Sequence, residues 1–219
     1  MMESEPNTTK DILLALGEYA GFIITGILLG FWAKFKGKKT RQIKEDKNNI
    51  RAHSQVNEVL TELRVLLQCS RSIIFQYHNG GKFADGTSIK RFSVTHESDD
   101  FGVQSMILES QDVLTTRYSE LIKILEDIPS TIISVDSIVE CSFRTSLEIN
   151  NVLYFSVSPL KCMDSITPMG FVCCHWCKDM DSICKEGIKI SELEQVIEQN
   201  AKIINTHLSH RKKNANSSI

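Results

Sequence analysis

The chain has 219 residues, with 25 Lys and Arg against 27 Asp and Glu, a formal net charge of −2. No global basic field points to nucleic acid, and 42% apolar with 24% charged residues is the make-up of an ordinary globular protein, not of a disordered one. A mean hydropathy of −0.12 excludes a multi-span channel, and seven cysteines without regular spacing argue against a secreted disulfide framework.

A polar tail, residues 1–11, opens the chain. From Ile12 to Ala33 the sequence is apolar apart from Glu18 and Thr25, with Tyr19 and Trp32 towards its two ends. A helix over this stretch would be about 33 Å long, enough to cross a hydrocarbon core of about 30 Å. Glu3, Glu5 and Asp11 precede it with Lys10 as the sole basic residue, whereas Lys34, Lys36, Lys38, Lys39, Arg41 and Lys44 follow it. That order is the reverse of a cleaved signal peptide, so an uncleaved single span is expected in a lipid bilayer. Basic residues flank the cytoplasmic end of a span, which places the large C-terminal part in the cytoplasm; unpaired cysteines suit that reducing side.

Within this span Gly17 and Gly21 are four apart, as are Gly26 and Gly30. Small residues at that spacing let helix backbones approach closely, so these four glycines are the expected surface for homo-oligomers. Glu18 is either an intramembrane polar contact or a carboxyl that reaches the headgroups.

Residues 34–55 form a basic juxtamembrane stalk, which overlaps a long helix predicted from Thr40 to Gln68, where neither Pro nor Gly intervenes. Its charged half could hold anionic headgroups or stand solvated. Its second half, with Val56, Val59, Leu60, Leu63 and Leu67, docks on a core.

The period then changes over a soluble domain expected at 56–208. Ser72–Tyr77 reads as a strand, followed by a turn at His78-Asn79-Gly80-Gly81. Phe92–Glu97 alternates as a second strand. Tyr118–Glu126 has helical spacing and Pro129 stops it. Short strands are predicted at Thr131–Val135, Val152–Val157 and Gly170–Trp176. A last helix opens on a capping box of Ser191 and Glu194 and places Leu193, Val196, Ile197, Ala201, Ile204 and Leu208 on one face. Residues 209–219 form a polar, basic tail. Strands bracketed by an entry and an exit helix give an α+β domain with helices packed on an antiparallel sheet.

Candidate chemistry is sparse. Cys174 and Cys177 form a CxxC, with Cys184 further on, but on a strand Cys173, His175 and Cys177 share one face and Cys174 takes the other. Small buried cysteines are therefore expected in place of a zinc or thiol-exchange site. His78, His96 with Glu97, and Asp99 with Asp100 are the residues that could carry protons. No nucleophile motif or phosphate loop accompanies them, so neither catalysis, a metal nor a cofactor is expected.

Tyr154–Leu160 (YFSVSPL), Gly170–Trp176 (GFVCCHW) and the closing helix Ser191–Leu208 resemble the GAF family of small-ligand and regulatory domains over roughly residues 56–208. The whole architecture, with GFVCCHW followed by KDMDS and the closing helix, resembles the single-span holins of the T-even type in tailed phages. That second resemblance implies self-association in the cytoplasmic membrane, lesions that release endolysin, and timing set by a regulatory protein on the soluble domain. It also implies a periplasmic C-terminal domain, opposite to the charge pattern. The alternative reading is a membrane-tethered GAF-like sensor or binding module that acts through a partner protein.

Overall fold

The computed structural model describes the backbone of residues 8–82, 84–86, 88–161, 168–184 and 189–216, and side chains from Ile27 to Ser209 apart from scattered positions. The chain divides into two compact units, 1–50 and 51–219. Helix α1 is assigned to Thr8–Leu66.

In the first unit, Ile27, Leu29, Phe31 and Trp32 are exposed, and the Lys36 Nζ lies 5.0 Å from the centre of the Trp32 ring. Among the described residues no helix is long and apolar enough to cross a membrane. The transmembrane helix expected over Ile12–Ala33 is thus not found; most of its side chains, those of Glu18 and Thr25 included, lie outside the described residues, as do Gly17, Gly21 and Gly26. At Gly30 nothing lies within 4 Å of an added Cβ.

The second unit is built on a six-stranded antiparallel sheet in the order β3-β2-β1-β6-β5-β4. Its strands are β1 (Arg71–Lys82), β2 (Ser88–Asp99), β3 (Val113–Leu114), β4 (Ile132–Ser134), β5 (Tyr154–Lys161) and β6 (Pro168–Trp176). The helices of this unit after α1 are α2 (Ser119–Asp127), α3 (Ser142–Ile149), α4 (Met180–Cys184) and α5 (Ile190–Asn216). The α+β architecture inferred from the alternation of periods is the observed one.

Both faces of the sheet are covered, which is why β6 reads as a nearly unbroken apolar run. On one face Val56, Leu60 and Leu63 of α1, with Leu67 just past its end, pack with Leu193, Ile197, Ala201, Ile204 and Leu208 of α5 over Ile74, Val172, Cys174 and Trp176. The spacing in each helix is one stripe of a 3.6-residue period, and each such Leu or Ile contributes about 1.5–3 kcal/mol by leaving water. The Trp176 indole N–H donates to the Leu67 carbonyl at 3.1 Å, so the largest side chain of that core is also satisfied. On the opposite face Phe75, Phe92, Phe143, Phe155 and Phe171 pack with Leu121, Ile124 and Leu125 of α2 and with Leu147 of α3.

Three local expectations are corrected. His78-Asn79-Gly80-Gly81 is no turn: β1 runs on to Lys82, with Asn79 opposite Lys90. The glycines serve the strand instead, Gly81 at φ +107 beside a register shift and Gly80 beneath the Arg91 side chain. Ser191 does not cap α5, which already begins at Ile190, and Glu194 bonds across to β4 instead of back to its own helix. Lastly, β2 does not alternate throughout. Ile74 faces His96 but Phe75 faces Val94, leaving Thr95 as the extra residue of a bulge. A bulge turns the strand's subsequent side chains over. His96 therefore leaves the face of Phe92 and Val94 and meets α1.

Candidate functional site

The aromatic face of the sheet ends in a cleft of about 530 Å³ lined by Tyr77, Lys90, Thr115, Thr116, Ser119, Ile122, Lys123 and Pro168. Five segments supply it. Tyr77 comes from β1, Lys90 from β2, Pro168 from the first position of β6, and Ser119, Ile122 and Lys123 from α2. Thr115 and Thr116 belong to a 3-10 turn, Thr115–Tyr118, which is tied to the sheet because the Thr115 hydroxyl donates to the Lys90 carbonyl at 3.0 Å.

The floor is continuous with the aromatic core, since the Tyr77 ring lies 6.3 Å from Phe92 and 5.9 Å from Phe171. Burial, helped by the negative charge of Glu126, pushes the Tyr77 phenol up to about 12. It is a neutral hydroxyl at any physiological pH and can donate a hydrogen bond. The Lys123 ammonium lies 3.2 Å from Glu120 one turn earlier on α2. The described lining is thus an apolar floor with hydroxyls and two ammonium groups on its walls. Such a set of groups can hold a molecule with an apolar body and an anionic end.

The residues singled out from the sequence lie elsewhere. At one end of the sheet, Arg71, fully buried, places its Nε 3.6 Å from Glu97 and 3.4 Å from Asp99. Its Nη2 donates to the Gln104 carbonyl at 2.5 Å, and its Nη1 lies 3.4 Å from the Nδ1 of His175. Burial, reinforced by the Arg71 charge, lowers His175 to about 3. The imidazole is therefore neutral, Nδ1 accepts from Arg71, and the proton sits on Nε2, which lies 3.0 Å from the Cys173 sulfur. In that tautomer the sulfur accepts and the ring cannot take its proton. Burial also pushes the Cys173 thiol up. A cysteine beside a histidine is here structural, because reactivity needs a thiolate.

The CxxC is not brought together. Cys174 is in the α1–α5 core and Cys177 borders the aromatic core, as strand alternation predicts. Cys174, a free thiol, shares a side-chain hydrogen bond with Cys69, and that contact and burial raise its pKa. Cys184 packs against the α1–α5 core. Among the described residues no group of three or more His, Cys, Asp and Glu could hold a metal ion.

Of the proton-carrying residues, Glu97 and Asp99 meet at Arg71 and the others are dispersed. The His78 Nε2 meets the Ser93 hydroxyl at 2.9 Å on the open end of the β1–β2 hairpin. His96 Nε2 lies 2.7 Å from the Nδ1 of His53 on α1. Glu97 accepts from Met106 N–H at 2.8 Å and from Ile107 N–H at 3.2 Å. Asp100 bridges Arg64 at 3.2 Å and Lys178 at 3.5 Å, and its carboxyl is held low first by the Phe101 N–H. Asp99 goes the other way, raised to about 6 by burial and then by its neighbour Glu97.

Sequence reading missed every residue of the cleft. Lys90, Thr115, Ile122 and Pro168 sit far apart in the chain, and only the ladders β1–β2 and β1–β6 gather them. The one available signal was the helical spacing of Leu121, Ile124 and Leu125, which turns one face of α2 to the sheet and leaves Ile122 and Lys123 at its border.

No family model matches the chain, and no curated protein is similar to it. Solved structures are similar in fold. The phycoerythrobilin-bound GAF domain of a cyanobacterial phytochrome matches with a TM-score of 0.56 at 13% identity, covering 80% of this chain and 93% of that one. The chromophore-binding domain of an unusual bacteriophytochrome from R. palustris matches with a TM-score of 0.54 at 11% identity, over 80% of this chain and 62% of that one. A far-red cyanobacteriochrome photoreceptor matches with a TM-score of 0.51 at 14% identity, over 80% and 97%. Nothing in these comparisons supports a holin of the T-even type. At such identities the likeness is one of architecture: the six-stranded sheet with its flanking helices has the GAF fold.

Proposed function

We propose that this chain is a GAF-like binding module, tethered to a membrane through Ile12–Ala33, that takes an amphipathic anion into the cleft and acts through a partner protein. The observation that carries the reading is the pairing of Lys90 and Lys123 with the apolar floor of Tyr77, Ile122 and Pro168 in a cleft of about 530 Å³. A buried aromatic layer under the cleft holds its shape without a ligand, which lowers the cost of binding. The exposed Ile27, Leu29, Phe31 and Trp32 support the tether, because contiguous apolar side chains need lipid or protein around them. Self-association through Gly17, Gly21, Gly26 and Gly30, with Glu18 as a polar contact, belongs to the same proposal. Replacing Gly26 and Gly30 by Leu should weaken crosslinking between copies in membranes.

A bilin is not part of the proposal. The space over the sheet that could enclose four pyrrole rings is taken by Phe75, Phe92, Phe143, Phe155 and Phe171. Among the described residues that line the cleft there is no cysteine. The holin reading rests on the architecture read from the sequence, and the similarity of fold to sensory domains favours the binding module.

The test uses 8-anilinonaphthalene-1-sulfonate, an aromatic sulfonate, and the neutral N-phenyl-1-naphthylamine as probes on the full chain in detergent. The sulfonate should bind more tightly, and Lys90→Glu should weaken it at least tenfold while leaving the neutral probe unchanged. Equal affinity of the two probes, or an unaltered sulfonate affinity in Lys90→Glu, would overturn the assignment of the cleft.

A further inference from the structure

The connection from β2 to β3, residues 100–112, combines two properties that seldom coincide. Its tip is apolar and open to solvent: Phe101 is 104% exposed, Leu108 89% and Ile107 40%. A loop with such side chains and no function would be free to collapse. This one is held from within. Glu97, itself buried, takes the N–H groups of Met106 and Ile107 and the Ser105 hydroxyl. Arg71 grips the Gln104 carbonyl. The Gln111 amide donates to the Val94 carbonyl at 3.0 Å, and Val94 N–H returns to the Ser110 carbonyl at 3.1 Å. Met106 anchors the middle of the loop in the aromatic core. The consequence is that Phe101 and Leu108 stand out from a braced backbone, which removes much of the ordering cost of an association.

We infer that this loop is the docking surface for a partner protein, one that offers an apolar pocket with a cation at its rim. Charge selects that occupant over a bilayer. From Phe92 to Thr116 the sequence holds Glu97, Asp99, Asp100, Glu109 and Asp112 and neither Lys nor Arg. Arg71 answers Glu97 and Asp99, Arg64 and Lys178 answer Asp100, and Arg91 answers Asp112. Glu109, next to Leu108, bonds to the uncharged amide of Gln104 at 3.0 Å. An anionic lipid surface would repel that carboxylate, whereas an arginine or lysine beside an apolar pocket would pair with it. The inference rests on the partner half of the proposed function and is independent of what the cleft binds.

The test places a photo-crosslinking phenylalanine analogue at position 108 of the full chain in cells, with the same analogue at Ile149, 73% exposed, as control. A heteromeric adduct at 108 and none at 149 names a partner, which is then purified and titrated against the full chain. Leu108→Asp and Glu109→Lys should each weaken that complex at least tenfold, and Ile149→Asp should leave it unchanged. Adducts only with lipid or with the chain itself, or no adduct at 108, overturn the inference. So does a complex indifferent to Leu108→Asp. Loss of probe binding in Lys90→Glu with the complex intact would separate the two sites.

Discussion

Glu194 on α5 accepts the backbone N–H of Ile132 on β4 at 3.0 Å. The bond joins the exit helix to the outermost strand of the sheet, and it gives a partner to a half-buried amide that the β4–β5 ladder does not use. Replacing Glu194 by Ala should cost about 1–2 kcal/mol, the penalty for stranding that donor. Glu194→Gln, which keeps the acceptor oxygen, should cost less than half as much. Urea melts of the two variants check the difference, and equal losses would show that the side chain acts by packing alone.

Arg71 lies between two acids, the buried Glu97 and the partly exposed Asp99. Arg71→Met should lose about 3–5 kcal/mol because it leaves a buried carboxylate without a counter-charge. Adding Glu97→Gln should return part of that loss. Amide exchange in residues 100–112 should quicken in the single variant, since the Gln104 carbonyl loses its donor. Unchanged exchange in that loop would separate the ion cluster from loop order.

Asp99 has a folded-state value of about 6 against an ordinary 3.8. The native state then holds its proton more tightly than the unfolded chain does, so this group adds stability below 3.8 and loses it as pH rises through about 6. Asp99→Asn should flatten the dependence of melting temperature on pH across that interval and should be the more stable protein at neutral pH. Thermal melts at a series of pH values decide it, and a parental slope retained by the variant would assign the titration elsewhere.

Gly170 of β6 is paired with Gln76 of β1. A Cβ there would fall 2.0 Å from the Phe75 carbonyl oxygen, a backbone atom that cannot swing aside. Gly170→Ala should therefore destabilise by roughly 3 kcal/mol, at the upper end of the usual cost of overpacking. Gly86, with open space at its Cβ position but φ +85, should lose only about 1 kcal/mol on the same change. Comparison of the two denaturation midpoints separates steric conflict from backbone strain.

The sequence by itself determined the longer elements and their buried faces. Helical stripes such as Leu60, Leu63 and Leu67 or Ile197, Ala201 and Ile204 state which side is buried, because burial follows a fixed angular period. Alternation in GFVCCHW already separated Cys174 from Cys173 and His175, and both sets lie where that period puts them. What the chain could not state was pairing. The short helix α3 has only Phe143 and Leu147 as signal, and it forms because the aromatic core behind it needs covering. The bulge at Thr95 depends on how β2 meets β1, and it sends His96 and Glu97 to faces that alternation assigns the other way round. The cleft and the braced loop are products of that pairing. Lys90 and Pro168, 78 positions apart by number, come together only through the strand ladders on either side of β1, and no local propensity encodes a contact whose partners are chosen by the free energy of the assembled sheet.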